Sequence, residues 1–546
     1  MLTSMAVPAG DAVRRDAPGD SARPRFVPLA LALVLTLGAA ARIVAYAANR
    51  SIWTDEAALA ASIVHRSFRQ LAAPLEFAQV APLGFLWLEK GVVSLFGASE
   101  WALRLVPFLA ALASLVLFVL VARRVLDDGG ALFATTLFAV AAPLIYFATE
   151  TKQYSSDMAV ALALVLLALR LRERPLDAPR AAALGVAGAL APFLSQPSLF
   201  VLAGVGTVLL LDAARGAGDG RARRLAPVLL AWAVGSAIAI LQAMRAVSPV
   251  DRRYLEGYWS GAFLPLDHGL LASLRWLWRF AADLAAWLFP APWGWLVLAC
   301  VAVGIIALVR RRDGVLSLLL APLVIALLAS APRLYPMSAR VSLFIVPAIL
   351  LTAGAGAGWL LRATASMGVA RGAVALVLAV TALACVASVR YASLTREELR
   401  PVMRWVAAHR RGGDIVYVYY GAARAFDFYA PRLGFAPGSY QVGRCSRADW
   451  RGYVADLDSL KGHDRVWLVL AHPFHKAGIR EDSLVLGYLD RVGHLRASTS
   501  APGALARLYD LSDGARAAST LPPFTPPASG DTSGLRDGCW GAVGPR

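Results

Sequence analysis

The sequence predicts a polytopic α-helical membrane protein of about 11–13 spans with a C-terminal extracytoplasmic α/β domain, and three observations predict it. The 546 residues are 58% hydrophobic and only 16% charged, with a mean hydropathy of +0.58, whereas soluble domains carry about 25% charged residues. The apolar residues are clustered: Val106 to Val121 and Val374 to Val389 contain no charge and approach the length needed to cross roughly 30 Å of hydrocarbon. The net charge of +18 comes from arginines in short clusters between apolar runs, which is how topology signals are placed. These features exclude a cytosolic enzyme, a disordered chain and a fibrous repeat, and the charge distribution argues against nucleic acid as a partner.

Residues 1–25 read as a disordered cytoplasmic leader, and Arg23 and Arg25 hold it inside ahead of the first apolar run, Phe26 to Ala41. Further spans are expected over 101–122, 130–148, 158–171, 181–194, 197–211, 225–247, 291–309, 315–331, 341–361 and 372–389. The pair 181–194 and 197–211 is short and broken at Gln196-Pro197, as tilted or interrupted helices would be. Ala81 to Gly97 sets the parity of everything after it. It is short and carries Glu89 and Lys90 near its middle, where each charge would cost about 2.5–3.5 kcal/mol on insertion. Treated as an interfacial helix, it leaves Arg123/Arg124, Arg170/Arg172/Arg174/Arg180, Arg215/Arg221/Arg223/Arg224, Arg310/Arg311/Arg312 and Arg362/Arg371 on the cytoplasmic side. The membrane domain is then 26–390, in the inner (plasma) membrane, with outer loops at 48–100, 149–157, 248–290 and 332–340.

Residues 391–511 read as an extracytoplasmic α/β domain: a helix from Thr395 to His409, a turn at Gly412-Gly413-Asp414, strands at Ile415–Tyr420 and Val466–Leu470, and a helix near Asp482–Arg491. Residues 512–546 are rich in Pro, Gly, Ser and Thr and read as a flexible tail. Cys445 and Cys539 either pair outside the cytoplasm or remain two thiols.

The outer loops hold residues that topology does not require. Loop one opens on Trp53-Thr54-Asp55-Glu56, two carboxylates at the membrane surface, although acids there also suit an ordinary helix N-terminus. Loop two packs Glu150, Lys152, Tyr154 and Asp157 between two apolar runs. The chain has only four lysines, and Lys90 and Lys152 both lie in these acidic regions. Arg252, Arg253 and His268 lie in loop three, and Arg333, Tyr335 and Arg340 in loop four. These arginines run against the inside bias, as anion-binding residues would, though interfacial snorkelling is an alternative for any one of them. Carboxylates to take a proton, cations to hold a phosphate and aromatics to stack on a sugar form one consistent set. Outside the cytoplasm, where nucleotide sugars are absent, a glycosyl donor must arrive on a lipid.

At these residues the chain resembles the GT-C glycosyltransferases, specifically the GT39-like group of protein O-mannosyltransferases and lipid A aminoarabinose transferases. Trp53-Thr54-Asp55-Glu56 is similar to the group's first-loop acidic motif. Val80-Ala81-Pro82-Leu83-Gly84-Phe85-Leu86 resembles its His-Pro-Pro-Leu segment, with the His and the first Pro replaced. Phe96 to Leu105 is similar to its Phe-Gly…Arg-Leu run, and Tyr146 to Tyr154 resembles its second-loop pattern. The resemblance covers residues 26–175 and, loosely, 333–360. It implies an inverting transfer of a sugar from a polyprenyl-phosphate donor to a glycan, lipid or protein acceptor. Asp55 would be general base, Glu56 its orienting or charge-paired neighbour, and Glu150 and Asp157 a second acidic site. Lys90, Lys152 and Arg340, with Arg252 and Arg253 and Arg333 behind them, would hold the donor phosphate, and Trp53, Tyr154, Tyr335 and His268 would line the substrate. The carboxylates could also ligate Mg²⁺ or Mn²⁺, although their spacing does not demand it; His472 and His475 suggest zinc only weakly. A transporter or flippase, and a glycan polymerase or ligase of another fold, are the competing readings. A reporter fused after residue 390 is expected to report an extracytoplasmic location, and a cytoplasmic signal there would reverse every loop assignment.

Overall fold

The computed structural model describes residues 26–173, 176–215, 221–363, 396–447, 450–476 and 479–513, with isolated positions between 372 and 387. The expected leader, the span at 372–389, Cys539 and most of the tail lie outside the described residues. The chain enters through α1 (Phe26–Ala47), followed by the short α2 (Thr54–His65) and α3 (Leu83–Phe96). Then come α4 (Glu100–Val125), α5 (Asp128–Val140), α6 (Ala142–Tyr146), α7 (Tyr154–Glu173), α8 (Ala178–Leu194), α9 (Ser198–Arg215) and α10 (Arg221–Arg245). The third loop is itself helical, α11 (Pro249–Tyr258) and α12 (Leu270–Leu288), and α13 (Trp293–Arg311), α14 (Val315–Ser330) and α15 (Val346–Ala363) complete the membrane domain.

Among the described residues, seven helices are long and apolar enough to cross a membrane: α1, α4, α7, α9, α10, α13 and α15. The α5–α6 pair makes an eighth if its 55° bend lies within one span, and α8 and α14 are shorter apolar helices. Ten of the eleven expected runs are therefore helical. The Gln196-Pro197 break separates α8 from α9. Within residues 81–97 the helix is α3, Leu83–Phe96, which at 14 residues is about 21 Å long, too short to span. Large apolar side chains on α10, such as Leu230, Ile238 and Leu241, face outward, as a lipid-facing helix requires.

The bend between α5 and α6 has a specific cause. Pro143 has no N–H to give to the carbonyl of Ala139, and a free carbonyl inside a membrane domain is costly. Arg42 of α1 supplies the missing donors, bonding the carbonyls of Ala139 at 3.1 Å and Phe138 at 3.3 Å. Elsewhere, helices meet backbone to backbone. A Cβ on Gly304 would collide with the Thr352 carbonyl, and one on Gly356 with that of Cys300, so α13 and α15 pack through small residues as membrane helices do.

The C-terminal region contains α16 (Leu399–His409), β1 (Ile415–Val418), α17 (Ala423–Tyr429), β2 (Gln441–Val442), α18 (Trp450–Asp458), β3 (Val466–Ala471), β4 (His475–Lys476), β5 (Ile479–Arg480), α19 (Glu481–Val492), β6 (His494–Ala501) and β7 (Ala504–Asp510). Its main sheet has the order β2-β1-β3-β7-β6, with β2, β1 and β3 parallel and β7 and β6 antiparallel. β3 is buried along its whole length, as a central strand covered on both faces should be. Cys445 is disulfide-bonded. One apolar core joins this sheet to the first loop, with Ile52, Leu59, Phe85 and Leu103 in the same cluster as Val402, Phe426 and Trp467.

Polar contacts bind the two regions at the residues before α2. Glu398 accepts from the Ser51 amide and hydroxyl, Tyr429 from the Ile52 amide, and Glu397 from the Thr54 amide at 3.2 Å. Trp53 at the N-cap makes no side-chain cap bond, so an orphan amide of α2 is satisfied by a carboxylate from the other end of the chain. Beneath it lies a buried ion pair. Arg104 of α4 donates to both oxygens of Glu56, at 2.8 and 2.6 Å, and to the carbonyls of Arg50 and Ser51. Arg104→Met, which strands the Glu56 charge, is expected to cost about 3–5 kcal/mol. Unfolding of the detergent-purified protein checks this, and a Glu56→Leu/Arg104→Met double variant is expected to recover part of the loss.

Candidate active site

Asp55 and Glu56 are neighbours in the first turn of α2 and therefore point about 100° apart around the helix. Glu56 turns inward, where it is fully buried and also accepts from the Thr151 amide at 2.8 Å. Asp55 turns toward loops two and four. Its Oδ1 lies 3.2 Å from Lys152 Nζ and its Oδ2 3.0 Å from Arg340 Nη1, with the Asp55 side chain 19% exposed. Burial opposes its charge, but Lys152, Arg340 and Arg424 outweigh that and hold the carboxyl well below the usual range.

Both cations have further partners. Lys152 donates to Gln79 Oε1 at 2.6 Å. Arg340 donates to the Tyr258 hydroxyl at 3.4 Å and lies 5.4 Å from the Trp259 ring. The backbone at Phe77 and Ala78 takes positive φ values of 58° and 51°, a conformation that costs about 1–3 kcal/mol in non-glycine residues. It brings the Phe77 ring beneath Arg424 of α17, 4.3 Å away. Arg424 lies within electrostatic reach of Asp55 and Tyr254, and burial pushes its guanidinium down to about 10.

Glu150 is the second acidic feature of this group. It is fully buried, and neither oxygen has a hydrogen-bond partner among the described residues. Burial and then the Glu56 charge push its carboxyl up to about 7, against the pull of Arg50 and Arg396. Arg50 stacks over Tyr146 at 3.9 Å, and Arg396 lies over the rings of Trp53 and Tyr146 at 4.5 and 5.1 Å. Tyr154, buried against Phe147, is within electrostatic reach of Asp55, Glu150, Asp157 and Arg340.

The expected residues thus divide. Asp55, Glu150, Lys152, Tyr154 and Arg340 come together, with Trp53 beside them. Glu56 pairs with a cation, Arg104, in a structural contact. Asp157 is buried in the first turn of α7. Lys90 is not brought to the group: its ammonium donates to the Val64 carbonyl near the end of α2, at 3.0 Å. Arg252 and Arg253 are exposed on α11, and Arg333 is exposed in its loop. His268 is exposed and paired with Asp267. The Tyr335 hydroxyl bonds the Val341 carbonyl at 2.7 Å and so shapes the Arg340 loop. Sequence reading assigned no role to Arg424, Arg396, Gln79, Tyr258 or Arg50. None sits in a distinctive local pattern, and only the packing of distant segments brings them together.

The group does not fit a resident divalent cation. Both Asp55 oxygens face cations, and no three His, Cys, Asp or Glu side chains among the described residues converge as a metal set. His472 and His475 have separate carboxylate partners, Glu397 and Asp482.

Because Glu150 keeps its proton up to about pH 7 in the folded chain, its contribution to stability is present below the ordinary carboxylate range and is lost as pH rises through 7. Glu150→Gln, which holds no charge at any pH, is expected to match the parent in thermal unfolding at pH 5 and to unfold at a higher temperature at pH 8.

Residues 80–241 match the dolichyl-phosphate-mannose-protein mannosyltransferase family. No curated protein matches the chain. Among solved structures, the apo oligosaccharyltransferase of Archaeoglobus fulgidus aligns with a TM-score of 0.50 at 11% identity, covering 91% of this chain and 75% of that one. ArnT from Cupriavidus metallidurans bound to undecaprenyl phosphate aligns with a TM-score of 0.48 at 15% identity, covering 91% of this chain and 99% of that one. The archaeal oligosaccharyltransferase AglB from Archaeoglobus fulgidus, in complex with an inhibitory peptide and a dolichol-phosphate, aligns at 0.46 and 12% identity over 90% and 74%. The chain shares its fold with the apo oligosaccharyltransferase of Archaeoglobus fulgidus, and residues 80–241 carry its sequence likeness to the dolichyl-phosphate-mannose-protein mannosyltransferase family.

Proposed function

We propose that this chain is an integral-membrane glycosyltransferase that moves a sugar from a polyprenyl-phosphate-linked donor to a glycan, lipid or protein acceptor at the extracytoplasmic face, with inversion at the anomeric carbon. The observation that carries the reading is Asp55 held between Lys152 and Arg340 in a partly open group of loops. The fold and the family match over residues 80–241 support the class of reaction.

The same three residues suggest how the step is controlled. With both cations on its oxygens, Asp55 is a weak base. A donor phosphate carries more charge than a carboxylate and competes for the same ammonium and guanidinium. As Lys152 and Arg340 turn to the phosphate, Asp55 keeps its burial and loses the charges that hold its carboxyl down, so its affinity for a proton rises. The acceptor's nucleophilic atom then attacks the anomeric carbon as Asp55 takes its proton. The bond from that carbon to the phosphate oxygen breaks, and the leaving lipid phosphate departs with the electron pair onto Lys152 and Arg340. Donor binding arms the base in this scheme, so transfer is ordered with donor first. Glu150, whose carboxyl is pushed up to about 7, carries less than a full charge at neutral pH and so reduces the negative charge facing the donor phosphate. The C-terminal domain, which reaches the site through Arg424 and Arg396, is suited to hold acceptor against it.

A strain whose only copy carries Asp55→Asn is expected to accumulate the polyprenyl-phosphate sugar and to lose transfer by about 10²-fold or more, with membrane insertion intact. Near-normal turnover would remove Asp55 as base. Lys152→Ala and Arg340→Ala are each expected to lower transfer by about 10²-fold and to weaken donor use more than acceptor use. Lys90→Ala is expected to act only through stability.

A further inference from the structure

At the opposite end of the membrane domain, a cavity of about 480 Å³ opens between the ends of three spans. Arg124 at its edge lies twenty residues along α4 from Arg104, a rise of about 30 Å, which is the thickness of the hydrocarbon core. The cavity is therefore separate from the Asp55 site by the whole bilayer. Four arginines line it, Arg124 from α4, Arg310 and Arg311 from α13 and Arg362 from α15, together with Trp359 and a single carboxylate, Asp127.

That one acid is already committed, since Asp127 accepts from the Gly130 amide at 2.7 Å to cap α5 and pairs with Arg362. Arg311 is held by the Val125 carbonyl and by Asp313, each at 2.6 Å. Arg124 donates to the Leu120 carbonyl at 3.0 Å and reaches Glu173 at 3.6 Å. Arg310 is exposed and has no hydrogen bond or ion pair among the described residues. Topology needs arginines at helix ends, but it does not need four from three different helices to share one cavity, where like charges repel. Three of the four arginines thus have an acidic partner and Arg310 has none among the described residues; its unpaired charge at the edge of a low-dielectric phase suits an anion.

The surroundings indicate which anion. Ile306 and Val309, on the turns of α13 leading to Arg310, are 54% and 56% exposed, and Trp359 at the rim is 39% exposed. An apolar strip runs from the arginines along the spans, where acyl chains lie, and tryptophan is the residue of the headgroup level. We propose that this cavity binds the phosphodiester headgroup of an anionic phospholipid, with Arg124 and Arg310 on the phosphate and the acyl chains along α13.

The test is native mass spectrometry of the detergent-purified full chain with phosphatidylglycerol, phosphatidylcholine or inorganic phosphate added. Phosphatidylglycerol is expected to be retained at least five-fold over phosphatidylcholine, and Arg310→Gln, an exposed change that leaves folding intact, is expected to lower that preference at least two-fold. An Arg124→Gln/Arg310→Gln variant is expected to abolish the preference. Equal retention of the two lipids, an undiminished preference in Arg310→Gln, or displacement of phosphatidylglycerol by equimolar inorganic phosphate would each overturn the proposal, the last because it would mark a site for free phosphate.

Discussion

The buried pair between Arg104 and Glu56 is the contact on which the loop-rich half of this protein depends. A guanidinium and a carboxylate removed from water gain little from their attraction alone. Here the remaining donors and acceptors are also used, by the carbonyls of Arg50 and Ser51 and the amide of Thr151. Four segments meet at this one pair: the end of loop one's entry, the first turn of α2, the start of α4 and loop two. With Glu56 locked inward, the helix turn leaves Asp55 no choice but to face the group containing Lys152 and Arg340. The C-terminal domain then closes over the same turn through Glu397, Glu398 and Tyr429, so its sheet and the membrane domain share a core as well as a site.

Neighbouring carboxyl groups with unlike environments divide the work of a proton-transfer site. Asp55 sits among cations and stays ionised; Glu150 sits without a hydrogen-bond partner beside the Glu56 charge and holds its proton to about pH 7. The contrast follows from what each meets in space, since both residues occupy similar positions at the mouths of apolar runs. The charge on the other face behaves differently. Four arginines there border one cavity, and three of them are paired with an acid while Arg310 is not, so positive charge concentrates at one place.

Much of the architecture was legible in the chain because hydrophobic length is a local property. The apolar helices, the shortness of α3, the interruption at Gln196-Pro197 and the strands Ile415–Val418 and Val466–Ala471 all follow from runs of a few to twenty residues. The acids of the candidate site were also visible, because Asp55 and Glu150 stand out against apolar neighbours. The cations were less so. Lys90 and Lys152 look equivalent in the sequence, yet one ends on the Val64 carbonyl and the other on Asp55. Arg252, Arg253 and His268 share a loop with Tyr258, and it is Tyr258 that reaches Arg340.

The sequence by itself determined that the chain is a membrane protein, roughly where its helices lie, and that the loops between them carry acids, cations and aromatics. Those are consequences of composition and spacing along the chain. Only the tertiary structure decided which of these residues meet, because Asp55, Gln79, Lys152, Arg340 and Arg424 come from separate segments spread between positions 55 and 424. It also decided their charge states. A carboxyl's pKa depends on its burial and on the charges facing it, and no run of neighbouring letters records either.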